Sequence, residues 1–184
     1  GILEKAHKLD TIVFDKTGTL TEGTPVVTDV IAAEGRTKKQ LLEAAVSIEA
    51  VSEHPLAEAI MKRGREEGVT PRDIDNFEAL SGLGASGTMS GIKILIGNAN
   101  LMKRNGLSFP SLDSEAERLI SSGKTVIYIA VDGEPAGIIA CADTPKDSAY
   151  AAISNLKKRN LDIIMITGDN RKTAEAIAAD VGVD

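Results

Sequence analysis

The sequence predicts an α/β chain: a Rossmann-like domain built from both ends of the polypeptide, with an inserted α+β domain of antiparallel sheet flanked by helices. The outer part rests on two strand-and-turn signals, apolar Thr11–Phe14 running into Asp15 and Leu161–Ile166 running into Thr167-Gly168-Asp169, with helical spacing over Ser148–Arg159 and Lys172–Val181. The insert rests on a change of pattern between those ends, where short strands punctuated by glycine alternate with helices. In open α/β sheets chemistry gathers beyond the carboxyl ends of the strands. Asp15 and Thr167-Gly168-Asp169 are therefore expected to share one site although they lie far apart in the chain.

Taken in order, Val26–Ala33 reads as a strand, and Lys38–Ala50 and Pro55–Glu67 as helices, with Pro55 suited to a first helical turn. Phe77–Ile96 reads as strands broken by glycines, and Ala99–Asn105 and Asp113–Ser122 as helices. Thr125–Val131 and Glu134–Ala140 form a hairpin pattern around Asp132-Gly133, a frequent two-residue turn pair. Proline and turn formers in Glu22-Gly23-Thr24-Pro25 and Asp143-Thr144-Pro145 mark two linkers. The expected boundaries are residues 1–23 with 143–184 for the outer domain and 24–142 for the insert. Two such linkers together would act as a hinge.

Composition narrows the partners. A net charge of −6 offers no positive field for a phosphate backbone, so nucleic acid is excluded as a partner. The longest apolar runs, Val126–Val131 and Ala136–Ala142, are strand-length and far short of a membrane span. Gly1-Ile-Leu-Glu-Lys does not resemble a secretory signal. These features predict a soluble chain in a cytoplasmic setting. The one cysteine, Cys141, lies in Ile-Ile-Ala-Cys-Ala and reads as a small buried strand residue.

The strongest chemical signal is Asp15-Lys16-Thr17-Gly18-Thr19-Leu20-Thr21, directly after the first strand. A carboxylate at a strand end can attack phosphorus and form an aspartyl-phosphate. Lys16 can offset charge, Thr17 and Thr19 supply hydroxyls, and Gly18 allows a tight turn whose N–H groups face a phosphate.

This heptad resembles the phosphorylation signature of the P-type ATPases, which share its outline with dehalogenase-like phosphatases. Those phosphatases usually carry a second aspartate two positions after the nucleophile as a general acid/base. Here that position is Thr17, which suits a pump whose aspartyl-phosphate must persist. Thr167-Gly168-Asp169-Asn170 resembles the second family motif, implying that the Thr167 hydroxyl meets the transferred phosphoryl group; as bare sequence it also reads as a turn and helix cap. Asp143-Thr144-Pro145-Lys146 resembles the family hinge motif, implying a polar contact from Asp143 to nucleotide, and again reads equally as a cap and turn.

Ser52-Glu53-His54-Pro55-Leu56 resembles the nucleotide-domain motif that sets heavy-metal pumps apart from other cation pumps. The resemblance implies that His54 lies against the nucleotide, that Glu49 lies near the adenine, and that Gly82, Gly84, Gly97 and Asn98 complete the site. With 3% aromatic residues and no tryptophan, an aromatic platform for adenine is not expected. The fold implied is a dehalogenase-like phosphorylation domain carrying a nucleotide-binding domain. The cofactors implied are ATP and Mg²⁺, the latter held by Asp15 and the Thr17 carbonyl.

The sequence stops at Asp184, before a later Gly-Asp-Gly-x-Asn-Asp segment that supplies the family with a Mg²⁺-ligand aspartate. The reading is therefore of a phosphorylation domain truncated at its C-terminal end and catalytically incomplete. In the parent pump its partners would be membrane helices and an actuator domain at the cytoplasmic face of a membrane. The transported heavy metal would not bind here, and copper is the commonest cargo of the subfamily. Two alternatives from other classes remain, a soluble dehalogenase-like phosphatase and a nucleotide-binding module without chemistry.

Overall fold

The computed structural model describes residues 10–167 and 171–183. In chain order its elements are β1 (Thr11–Asp15), β2 (Val26–Ala32), α1 (Lys38–Glu49), α2 (Ala57–Glu66), β3 (Asp75–Leu80), β4 (Gly84–Met89), β5 (Ile92–Gly97), α3 (Ala99–Arg104), α4 (Asp113–Ser121), β6 (Thr125–Val131), β7 (Glu134–Ala142), α5 (Asp147–Lys157), β8 (Asp162–Ile166) and α6 (Arg171–Val181). They pack as two compact units. One contains the described residues up to Pro25, Ile120–Gly123 and those from Asp143 onward; the other contains Val26–Leu119 and Lys124–Ala142.

The second unit is built on a six-stranded antiparallel sheet in the order β2-β7-β6-β5-β4-β3. Helix α1 begins at a capping box, in which the Thr37 hydroxyl accepts from Gln40 N–H while the Gln40 side chain accepts from Thr37 N–H. Leu41, Leu42 and Ile48 of α1 and Ile60 of α2 join Ile94, Ile96, Ile129 and Ile139 of the sheet in one core. Each such aliphatic side chain taken from water contributes about 1.5–3 kcal/mol. Successive strand residues point to opposite faces. Leu95, Tyr128 and Ala130, which alternate with that set, are buried as well, and Tyr128 meets Phe109 edge to face at 5.1 Å.

The β6–β7 hairpin turns on Asp132 (φ 55°) and Gly133 (φ 77°), both in the left-handed region that a type I′ turn demands. Cys141 is buried in β7, as its strand context predicts, and burial beside Glu49 pushes its thiol up to about 12. The helix expected from Pro55 starts instead at Ala57. Leu56 N–H donates to His54 Nδ1 at 3.2 Å and Ala57 N–H to His54 O at 2.9 Å, so a side-chain-held turn precedes the helix.

In the first unit β1 and β8 pair in parallel, with Thr11 opposite Asp162 and Asp15 opposite Ile166. One face of this pair is buried with Leu20, Ile153 and Val181. On the other face Val13 and Ile164 are exposed.

Candidate functional site

Asp15 ends β1, and its carboxylate is exposed. The register that pairs Asp15 with Ile166 brings the half-buried Thr167 to the same strand end. The two segments expected to share a site therefore do converge; Gly168 and Asp169 lie outside the described residues. After Asp15 the chain makes a compact turn over Lys16–Leu20, in which Thr17 is extended (φ −76°, ψ 124°) and Gly18 left-handed (φ 75°, ψ −11°). Lys16 turns inward and is buried, while Thr17, Gly18 and Thr19 face outward.

Thr21 is fully buried beneath this turn. Its hydroxyl accepts from Gly18 N–H at 3.2 Å and lies 3.1 Å from Lys16 O and 2.5 Å from Asp143 Oδ2. The other Asp143 oxygen accepts from Gly23 N–H at 3.0 Å. Lys146 Nζ donates to Gly18 O at 2.6 Å. Asp143, which the resemblance offers as a nucleotide contact, accepts one hydrogen bond from the chain on each oxygen.

The second unit gathers the remaining candidates at one end of its sheet. Gly84 opens β4 and pairs with Gly97 at the close of β5, which in turn pairs with Tyr128. Cys141, near the end of β7, feels the charge of Glu49 at the end of α1. Glu49 is buried: a Ser52 hydrogen bond steadies its carboxyl group, Oε2 has no partner, and burial pushes its pKa above the usual glutamate value. Ser52 Oγ also accepts from His54 N–H at 3.1 Å, so one hydroxyl links the two residues. His54 lies at the surface with its imidazole partly enclosed, which lowers its pKa. Because Nδ1 accepts from Leu56 N–H, the proton of the neutral ring sits on Nε2, a donor.

A Cβ on Gly84 would lie 2.0 Å from Ile96 O, and one on Gly97 2.1 Å from Leu83 O. Both positions are therefore glycine because two backbones approach each other there. Gly82 differs: a Cβ would meet nothing within 4 Å, and only its φ of 68° favours glycine. Asn98 Nδ2 donates to Gly82 O at 2.9 Å while Oδ1 accepts from Leu101 N–H at 3.0 Å, so the side chain ties the 82–84 turn to the start of α3.

Comparison with known proteins gives this arrangement a family. A profile described as haloacid dehalogenase-like hydrolase matches residues 9–184. The chain belongs to the haloacid dehalogenase-like hydrolases. Among its relatives, the copper-exporting P-type ATPase of Bacillus subtilis (strain 168) is 45% identical over 181 residues, which are 98% of this chain and 23% of that protein. The dehalogenase-like chain thus spans about a quarter of the length of such relatives.

Of solved structures, the catalytic CPx-ATPase domain CopB-B superposes with a TM-score of 0.71 at 31% identity, over 100% of this chain and 61% of that one. A zinc-transporting PIB-type ATPase in the E2.Pi state superposes with a TM-score of 0.70 at 32% identity, over 96% and 28%. Both relationships agree with the mixed α/β architecture and with the heavy-metal P-type resemblance of the sequence. The relatives are enzymes.

In this dehalogenase-like chain the sequence pattern singles out Asp15, Glu49 and His54 but assigns nothing to Thr21, Ser52 or Lys146. Each of the three stands inside a motif already quoted. Thr21 is set apart by burial and Lys146 by a bond to distant backbone, neither of which adjacency in sequence displays, while Ser52 bonds its near neighbours Glu49 and His54. Among the described residues no group of three or more His, Cys, Asp or Glu side chains could hold a metal ion.

Proposed function

We propose that this chain is the ATP-handling part of a heavy-metal-translocating P-type ATPase, with residues 1–23 and 143–184 serving phosphorylation and 24–142 serving nucleotide binding. The observation that carries the reading is Asp15: an exposed carboxylate at the end of β1, register-matched to the strand end that bears Thr167. In the reaction a carboxylate oxygen of Asp15 forms a bond to the γ-phosphorus of ATP. The bond from that phosphorus to the β–γ bridging oxygen breaks, and ADP leaves with its electron pair. Thr167 and amides of the turn other than that of Gly18, which Thr21 already accepts, would receive the phosphoryl oxygens, and Gly168 and Asp169 complete the motif. Thr17 stands where a dehalogenase-like phosphatase carries its acid/base, and a threonine hydroxyl is a poor base at neutral pH. The product carboxyl-phosphate is accordingly expected to outlive the transfer step.

Glu49 supports the nucleotide assignment because its buried, unpartnered oxygen is unusual: buried polar atoms are normally satisfied. The edge of adenine offers an amino donor beside a ring-nitrogen acceptor, so Glu49 finds a partner there whether ionised or protonated. His54 presents its Nε2–H and ring face, and Gly82, Gly84, Gly97 and Asn98 shape the backbone at the same sheet end. For Mg²⁺ the donors are the Asp15 carboxylate and the Thr17 carbonyl, which fit a hard, largely hydrated cation shared with phosphate oxygens rather than a closed protein cage. When bound, Mg²⁺ would neutralise phosphate charge.

Membrane helices and an actuator domain of the longer pump are the partners this reading requires, with the chain at the cytoplasmic face. No described helix is long and apolar enough to cross a membrane. The relatives export copper or transport zinc, and copper is the cargo we favour. Incubation of the longer pump with γ-labelled ATP and Mg²⁺ tests the proposal. An acid-stable, hydroxylamine-labile label should appear on the wild type and vanish in Asp15→Asn with ATP affinity retained. Label persisting in that variant would assign the nucleophile elsewhere.

A further inference from the structure

The segment after β7 is fastened to the turn after β1 along its whole length. Glu22 N–H donates to Thr144 O at 2.9 Å and Lys146 N–H to Leu20 O at 2.9 Å, with Thr21 and Pro145 facing each other as an antiparallel bridge. Side chains extend this backbone pairing to one residue. Gly18 N–H is taken by Thr21 Oγ1 and Gly18 O by Lys146 Nζ, so both polar atoms of the residue at the apex of the turn are held.

The direction of the Thr21 hydroxyl follows from its single proton. Two acceptors compete for it, Asp143 Oδ2 at 2.5 Å and Lys16 O at 3.1 Å. A hydrogen bond to an ionised carboxylate is shorter and roughly twice as strong as one between neutral groups. The proton therefore points at Asp143, and the lone pairs of the oxygen face the Gly18 amide. Lys16 O keeps the Thr21 N–H at 3.1 Å as its donor.

We infer that Asp143 and Lys146 clamp Gly18, Asp143 acting through Thr21, and so hold the turn after Asp15 in its phosphate-receiving shape before nucleotide arrives. This deepens the phosphorylation reading and rests on it. Thr21, Asp143 and Lys146 are positioning residues: none needs to touch the phosphoryl group. Asp143 in particular influences transfer through the turn, since each of its oxygens accepts a hydrogen bond from this segment.

The first arm of the test needs no turnover. In this chain Thr21→Val, which keeps the shape of the buried side chain, should speed hydrogen exchange of the Gly18 amide by about 10-fold, the effect of losing one ordinary hydrogen bond. Thr21→Ser should restore it. Should the valine variant fail to fold, Lys146→Met at a half-exposed position should still shift the Gly18 carbonyl ¹³C resonance. The second arm uses the longer pump. Thr21→Val and Asp143→Ala should slow phosphoenzyme formation by about 100-fold at saturating ATP, the scale of a misplaced reacting group. The ATP concentration for half-saturation should stay within about 2-fold of wild type, and Thr21→Ser should recover the rate. Unchanged Gly18 exchange and carbonyl shift in the valine and methionine variants, or wild-type labelling rates in Thr21→Val, overturn the clamp alone. Absence of label on the wild-type pump removes the functional reading and the clamp with it.

Discussion

Around Asp15 the side chains of Thr21 and Lys146 are bonded to the backbone of the turn and Asp15 itself is exposed, whereas around Glu49 the carboxyl group is buried and one of its oxygens lacks a partner. Under the proposed function the contrast follows from what each group would have to do. A nucleophile must reach a phosphorus atom, so rigidity is placed in the turn beside it. A group that reads the edge of a flat base gains from low dielectric and from an unmet hydrogen bond that the right ligand completes. One region is organised around access and the other around withheld satisfaction.

The sharpest way to break this comparison is at the paired glycines, where the second region depends on backbone alone. Gly84→Ala places a methyl group against Ile96 O and should cost about 4 kcal/mol or more, at the upper end for single substitutions. Thermal unfolding of the isolated variant reads this directly. A mild loss would mean that β4 and β5 can part and that the glycines serve the ligand instead.

Next in size is His54→Ala, expected to weaken ATP binding by about 1–2 kcal/mol in calorimetric titration, the scale of one buried polar contact. Binding should persist without Mg²⁺, because the candidate cation donors are in the other unit. Equal affinity in wild type and variant would remove His54 from the site.

Gly82→Ala ranks close behind, at about 1–2 kcal/mol of stability, since only a left-handed backbone opposes it and the space is open. The difference between this variant and Gly84→Ala separates conformational demand from collision. Similar losses in both would contradict the geometry.

The subtlest effect is on pH dependence. Burial raises the Glu49 pKa, so the folded state binds that proton more tightly than the unfolded chain. Its contribution is complete below the ordinary glutamate value of 4.5 and declines as pH rises through the raised value. His54 behaves oppositely: its pKa is lowered, so its contribution is complete above the ordinary value of 6.5 and declines as pH falls below it. Glu49→Gln should therefore flatten the loss of stability on going upward from pH 4.5, and His54→Ala the loss on going downward from pH 6.5. Denaturant titrations across that range would show both, and a slope unaltered by either change would refute the assignment.

Much of this organisation is legible in the sequence because it is periodic or punctuated. The Asp132-Gly133 turn, the strand ending at Asp15 and the burial of Cys141 all follow from local pattern, and the structure bears each of them out. Pro55 misleads because a proline suited to a first helical turn fits a preceding turn equally well, and the His54 ring decides between them through Leu56 N–H. Thr21 and Lys146 give no local signal of the clamp, since it depends on Asp143, 122 residues from Thr21, and on Gly18, 128 residues from Lys146. For Gly84 and Gly97 the family resemblance implies a place in the nucleotide site, but that their two backbones approach each other emerges only from the register.

The pairing of Thr11 with Asp162 and of Asp15 with Ile166 has a consequence for the order in which the molecule assembles. Those contacts join strands separated by almost the whole chain, and the entropy of closing so long a loop must be met before they give anything back. The strands of the insert are mostly neighbours in sequence, with hairpins such as β6–β7 needing little closure. If the insert folds first, it draws the two ends of the outer unit together and shortens the loop that remains to be closed. The insert would then serve as the template on which the outer unit completes itself, during synthesis as well as on refolding.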